Sequence, residues 1–161
     1  RKAAGLSIDG ADVVLSTNAG AAGRELRNKR FDLIVVDEAA QSLEPSTWIP
    51  MLKGGNVILA GDHKQLPPVV SSDEALKRGL GHTLFEKLMG KFEEAKSPAA
   101  HMLTMQYRMN ETICRWSSEE LYDGRLVAAE SVKSRLLADL PHVRSTDETR
   151  EAMVLIDTAG C

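Results

Sequence analysis

Asp37 and Glu38 stand side by side at the end of an apolar run, Leu33-Ile34-Val35-Val36, and are followed by Ala39-Ala40-Gln41. Apolar residues without alternation predict a strand covered on both faces, as in a parallel sheet. Two acids at the end of such a strand lie at the carboxyl edge of the sheet, where open α/β folds bind ligands. One carboxylate can hold Mg²⁺, directly or through water, while its neighbour orients and deprotonates an attacking water. That is the layout of a nucleotide hydrolase. Isolated Asp-Glu pairs also end solvated strands, but four bulky apolar residues immediately before this one favour the phosphate-site reading.

Two further segments carry suitable chemistry. Gly61-Asp62-His63-Lys64-Gln65-Leu66-Pro67-Pro68 also follows an apolar run. Gly61 permits a tight exit from a strand, the polar residues after it can reach a phosphate, and the two prolines stiffen the loop. Alone, this would read as a polar surface loop. Gln65 lies 28 residues after Asp37, a separation that suits adjacent strands of a βαβ unit, so the two segments support each other. The third segment is Gln106-Tyr107-Arg108-Met109. An arginine fork matches phosphate oxygens and can stabilise charge during phosphoryl transfer, and Tyr107 offers a flat face for a base. By itself, a Tyr-Arg pair at a strand end is more often structural.

The elements that must position these residues follow from the pattern. Val13-Val14-Leu15, Leu33 to Val36 and Val57-Ile58-Leu59 predict three strands. A helix is expected over residues 42–53, capped by Ser42, with Pro45 in its first turn and Gly54-Gly55 ending it. Strand, helix and strand make a βαβ unit whose polar strand ends converge on one edge. Helices are expected over residues 73–78 and 83–92, the second with Leu84, Phe85, Leu88, Met89 and Phe92 on one face. Residues 93–100 read as a linker. A strand over 102–106 follows, then a helix over 111–121 capped by Asn110, a turn at Asp123-Gly124, a helix over 131–140 and a strand over 153–156. The expected fold class is therefore α/β.

The 161 residues carry a net charge of −3, so no global basic field draws nucleic acid, and any such binding must be local. Cys114 and Cys161 fit no metal spacing and suggest a reducing compartment. No run approaches the roughly 18 apolar residues of a membrane helix. The sequence begins at Arg1 rather than Met and shows no signal peptide, so it is expected to be a fragment lacking the true N-terminus.

Taken together, the segments resemble the superfamily 1 helicases. Asp37-Glu38-Ala39-Ala40-Gln41 looks like motif II (the Walker B element), residues 61–68 like motif III and residues 106–109 like motif IV. Val14-Leu15-Ser16-Thr17-Asn18 resembles a strand and loop that touch single-stranded nucleic acid. The form of motifs III and IV is similar to the 5′-to-3′ branch that contains the nonsense-mediated-decay helicase. Trp48-Ile49-Pro50, Arg115-Trp116 and Leu155-Ile156-Asp157-Thr158-Ala159-Gly160-Cys161 narrow the resemblance to the immunoglobulin-mu-binding helicase group.

The resemblance implies a partial P-loop NTPase fold with a RecA-like parallel sheet. Residues 1–96 would be the C-terminal part of one RecA-like domain and 97–161 the N-terminal part of a second. It implies ATP and Mg²⁺ as cofactors: Asp37 as the Mg²⁺ ligand, Glu38 as general base and Gln65 as sensor of the γ-phosphate. Tyr107 would stack on adenine, Arg108 would serve as arginine finger, and Thr17 would contact the sugar-phosphate backbone. Asp62 would be a supporting residue, and Lys64 a lesser candidate for phosphate contact. DNA or RNA, single-stranded or partly duplex, would be the substrate. The protein would be monomeric, cytoplasmic with the nucleus also open, and would associate with ribonucleoprotein or ribosomes rather than membrane.

The glycine-rich Lys-Ser/Thr loop of such enzymes is absent from these residues, so the isolated chain should hydrolyse ATP poorly. The alternative is a non-catalytic module that binds nucleic acid or protein. Asp157-Thr158-Ala159-Gly160 resembles a GTPase element, but no guanine-selective Asn-Lys-x-Asp accompanies it. His82, His101 and His142 are expected at the surface, and His63 in a motif loop. Met102, Met105 and Met109, and both Trp48 and Trp116, are expected to pack inside.

Overall fold

Two strands, β1 (Phe31–Val36) and β2 (Gly54–Leu59), pair in parallel from Phe31 opposite Gly54 to Val36 opposite Leu59. Helix α1 (Glu44–Met51) connects them and packs on both, which is the expected βαβ unit. Pro45 sits in the first turn, where its missing N–H is no loss; Pro50 lies inside the last turn, and Leu52 is the C-cap. The computed structural model describes residues 8–160, and these fall in two units that meet at Ala100 and His101. Cys161 lies outside the described residues.

Four expectations for the first unit need correction. Gly54 and Gly55 open β2 rather than ending the helix. A Cβ on Gly54 would stand 2.5 Å from Ile34 Cγ1, so the pairing of β1 with β2 excludes a side chain there. Ser42 is not the cap of α1, because Leu43 holds that place without a side-chain bond, and the Ser42 hydroxyl is engaged elsewhere. Residues 13–15 form no strand: nothing pairs with them among the described residues, and Leu15 is 92% exposed. The sheet is also covered on one face only. Val36 is buried and Ile34 half-buried, whereas Leu33, Val35 and Ile58 on the opposite face are 49%, 60% and 52% exposed. Two strands with one crossover helix shield a single face.

Helix α2 (Asp73–Lys77) is capped by Ser72, whose hydroxyl accepts from the Ala75 N–H at 3.3 Å. Helix α3 (Leu84–Glu94) is capped by Thr83, which accepts from the Glu86 N–H at 3.1 Å. The expected apolar stripe of α3 is buried or half-buried, and the helix packs on the turn that follows β1. Lys87 of α3 reaches Glu44 of α1 at 2.6 Å, and the Trp48 indole N–H donates to the same carboxylate at 3.3 Å. Lys53, between α1 and β2, is buried, and its ammonium donates to the carbonyls of Leu26 at 2.8 Å and Arg27 at 3.3 Å.

In the second unit, β3 (Met105–Gln106) and β4 (Val127–Ala128) pair in parallel across α4 (Glu111–Leu121). Asn110 caps α4 as expected, its Oδ1 accepting from the Thr112 N–H at 2.8 Å. Asp123 and Gly124, at φ of 53° and 71°, turn the chain back toward β4. β3 is shorter than expected because β4 offers only two residues to pair with it. The helix expected over 131–140 is absent, and a 3₁₀ turn at Leu137–Asp139 stands in its last part. The Lys133 carbonyl accepts from the Glu111 N–H and the Arg135 carbonyl from Asn110 Nδ2, so α4 takes acceptors that a helix would need. Residues 153–156 form no strand and find no ladder partner among the described residues. Met105, Trp116 and Trp48 are exposed, whereas interior packing was expected; Cys114 is buried and forms no disulfide among the described residues.

Two outcomes follow for stability. Replacing Lys53 with Met keeps the apolar stem but strands two carbonyls, and should destabilise by about 1–3 kcal/mol; an unchanged denaturant midpoint would contradict the role. The Lys87 ammonium, and then the Trp48 N–H, hold the Glu44 carboxyl below its ordinary range. The resulting stabilisation is present above the ordinary carboxylate pKa and is lost as pH falls through the lowered one. The thermal advantage of wild type over Glu44→Gln should therefore vanish in acid, and a pH-independent difference would refute the linkage.

Candidate functional site

The carboxyl edge of the β1–β2 sheet is built by two loops leaving side by side. The ladder extends past the strands, with Ala60 N–H donating to the Val36 carbonyl at 2.9 Å and Ala39 N–H to the Ala60 carbonyl at 2.8 Å. Gly61 then lies directly against the turn after β1. A Cβ at this position would stand 2.8 Å from Ala40 N and 3.1 Å from Ala39 N, so only glycine permits the approach. Ala39 and Ala40 are buried beneath it.

Between buried Val36 and buried Ala39, Asp37 and Glu38 are exposed. Glu38 adopts a left-handed conformation (φ 52°, ψ 36°), which costs a non-glycine residue about 1–2 kcal/mol. Asp37 Oδ1 accepts from the Glu38 N–H at 3.0 Å, which pins this backbone, while its other oxygen has no partner among the described residues. Gln41 Nε2 reaches Glu38 Oε2 at 3.4 Å. The loop after β2 is organised by Asp62: Oδ1 accepts from the Lys64 N–H at 3.0 Å, Oδ2 from Gln65 Nε2 at 2.9 Å, and its carbonyl from the Gln65 N–H at 3.2 Å. Lys64 is exposed. Ala40, His63, Gln65 and buried Pro68 help line a hollow of about 230 Å³ against the start of α3, where His63 faces the Phe85 ring at 6.3 Å. Asp37, Glu38 and Gln65 thus belong to one edge.

Thr17 lies on an exposed turn. Its Oγ1 accepts from the Gly20 N–H at 3.0 Å, and no described residue takes its hydroxyl proton. In the second unit Gln106 folds the turn after β3. Its Oε1 accepts from the N–H groups of Arg108 at 2.8 Å and Met109 at 2.7 Å, and its Nε2 donates to the Met109 carbonyl at 2.8 Å. Tyr107 is exposed, with its hydroxyl on Met105 Sδ at 3.2 Å. Arg108 is exposed, and its guanidinium has no hydrogen-bond or ion-pair partner among the described residues.

Among the described residues no group of three or more His, Cys, Asp or Glu could enclose a metal. The one open Asp37 oxygen instead suits Mg²⁺, which is commonly held by one or two carboxylates together with phosphates and water. The sequence pointed to every residue at this edge. It missed the buried Lys53 clamp and the Asn18 bond to Ser42, since neither carries a spacing signal.

Parallel β1–β2 pairing through a crossover helix, with polar loops at one edge, defines an α/β protein. Two family models, each described as an AAA domain, match residues 1–73 and 80–161. The DNA-binding protein SMUBP-2 of Mesocricetus auratus is 50% identical over 159 residues, covering 96% of this chain and 16% of that protein. The DNA polymerase alpha-associated DNA helicase A of Schizosaccharomyces pombe is 41% identical over 153 residues, covering 95% and 22%. An uncharacterized ATP-dependent helicase of Methanocaldococcus jannaschii is 46% identical over 139 residues, covering 86% and 20%. The chain belongs to the AAA-domain family of superfamily 1 helicases, with a partial RecA-like P-loop fold. It spans less than a quarter of the length of these relatives.

Gly61 offers a direct check of the edge. Gly61→Val should destabilise the protein by about 1–3 kcal/mol, because the backbone it meets cannot yield as a side chain would. An unfolding midpoint equal to wild type would show that the two loops are not held together here.

Proposed function

We propose that the whole protein is an ATP-dependent helicase that moves 5′ to 3′ along a nucleic-acid strand. The observation that carries this reading is the single edge shared by Asp37, Glu38 and Gln65, with Gly61 seated between their loops. The relatives include a DNA helicase and a DNA-binding protein, which supports DNA as a substrate; RNA is proposed beside it.

In this reading residues 1–96 are the C-terminal part of one RecA-like domain and 97–161 the N-terminal part of a second. Bound Mg²⁺-ATP supplies an electrophilic phosphorus with part of its charge neutralised. Asp37 would hold the cation through its carboxylate. Glu38, exposed on its strained turn, orients a water and takes its proton. Gln65, kept in place by Asp62, hydrogen-bonds the terminal phosphate. Arg108 stabilises charge on the transferring group, and Tyr107 stacks on the base. Thr17 donates its hydroxyl to a backbone phosphate. Grip on a strand through backbone and stacking contacts needs no sequence preference. We further propose a monomer, cytoplasmic with the nucleus also open, that associates with ribonucleoprotein or ribosomes.

Glu38→Gln in the whole protein tests the assignment. Loss of a general base should lower ATP turnover about 100-fold or more while leaving ATP binding intact. Unchanged turnover would remove Glu38 from the chemistry, and a whole protein without turnover would favour a non-catalytic binding module.

A further inference from the structure

The exposed turn that carries Thr17 is joined to the turn that carries Glu38 by a side-chain bond across 24 residues. Asn18 Nδ2 donates to Ser42 Oγ at 2.9 Å in a partly buried setting. Ser42 closes the 3₁₀ turn Ala39–Gln41, and Glu38 opens it. Within that turn the Gln41 N–H donates to the Glu38 carbonyl at 2.9 Å and the Ser42 N–H to the Ala39 carbonyl at 3.4 Å. The turn is therefore one short rigid piece, with Glu38 at one end and the Asn18 partner at the other.

The far side of Ser42 is fixed as well. Thr47 Oγ1 stands 3.0 Å from Ser42 Oγ and 3.3 Å from the Leu43 carbonyl, and Thr47 is wholly buried in α1. The Ser42 hydroxyl does not cap α1, since Leu43 occupies the N-cap position. Asn18 is half-buried, unlike exposed Thr17 beside it. A strand held at Thr17 lies next to Asn18 in the chain, and the bond to Ser42 is a side-chain route from there to the Glu38 turn.

We propose that Asn18 and Ser42 are positioning residues that transmit occupation of the Thr17 turn by a single strand to the backbone pose of Glu38. The coupling rests on the ATP- and strand-dependent reading given above. It assigns neither residue to strand or nucleotide contact, so basal turnover and strand affinity should survive their loss.

The test uses the whole protein, an oligodeoxythymidine strand as probe, and the variants Asn18→Ala, Ser42→Ala and the double variant. Wild-type kcat for ATP should rise when the strand is added. Each single variant should keep strand-free kcat and strand Kd within about twofold of wild type, while strand-stimulated kcat falls about five- to tenfold, the scale of one lost hydrogen bond. The double variant should fall no further than either single one, as for two ends of one bond. Wild-type stimulation retained in the variants overturns the coupling alone, as does a parallel loss of basal kcat or single-variant effects that multiply. A wild-type protein whose turnover ignores the strand overturns the functional reading, and the coupling with it.

Discussion

The candidate site depends on the close approach of Gly61 to the turn after β1. Backbone meets backbone there, at distances no side chain could enter. The βαβ unit makes the approach possible, since parallel pairing brings both strand ends to one edge. The residues of the two loops can then act on one ligand, although about two dozen residues of chain lie between them.

Around that contact the structure separates what is held from what is presented. Val36, Ala39 and Ala40 are buried, and Pro68 stiffens the second loop from below. Asp37, Glu38 and Gln65 project from this base into solvent. The left-handed backbone of Glu38 is tolerated because Asp37 Oδ1 and the Gln41 N–H brace it from both sides. The second unit repeats the scheme on a smaller scale, with Gln106 bracing the turn that presents Tyr107 and Arg108.

How much of this was legible in the sequence depends on the range of the interaction. The cap at Asn110 and the apolar stripe of α3 act within one or two turns, and spacing shows them. Both site loops were legible because glycine, proline and paired acids interrupt apolar runs. Extended segments are different: Val13 to Leu15 and Met153 to Ile156 have strand composition, yet a strand exists only where a partner supplies its ladder. The helix expected over 131–140 failed for a related reason, since carbonyls at Lys133 and Arg135 are claimed by the start of α4. Lys53, Asn18 and Ser42 act over two dozen residues, and no local pattern announces them.

The most direct test is a structure of the whole protein with Mg²⁺ and a non-hydrolysable ATP analogue. The account requires the cation beside the open oxygen of Asp37, directly or through one water, and the Gln65 amide within hydrogen-bond distance of the terminal phosphate. A nucleotide bound away from this edge, touching neither Asp37 nor Gln65, would contradict it.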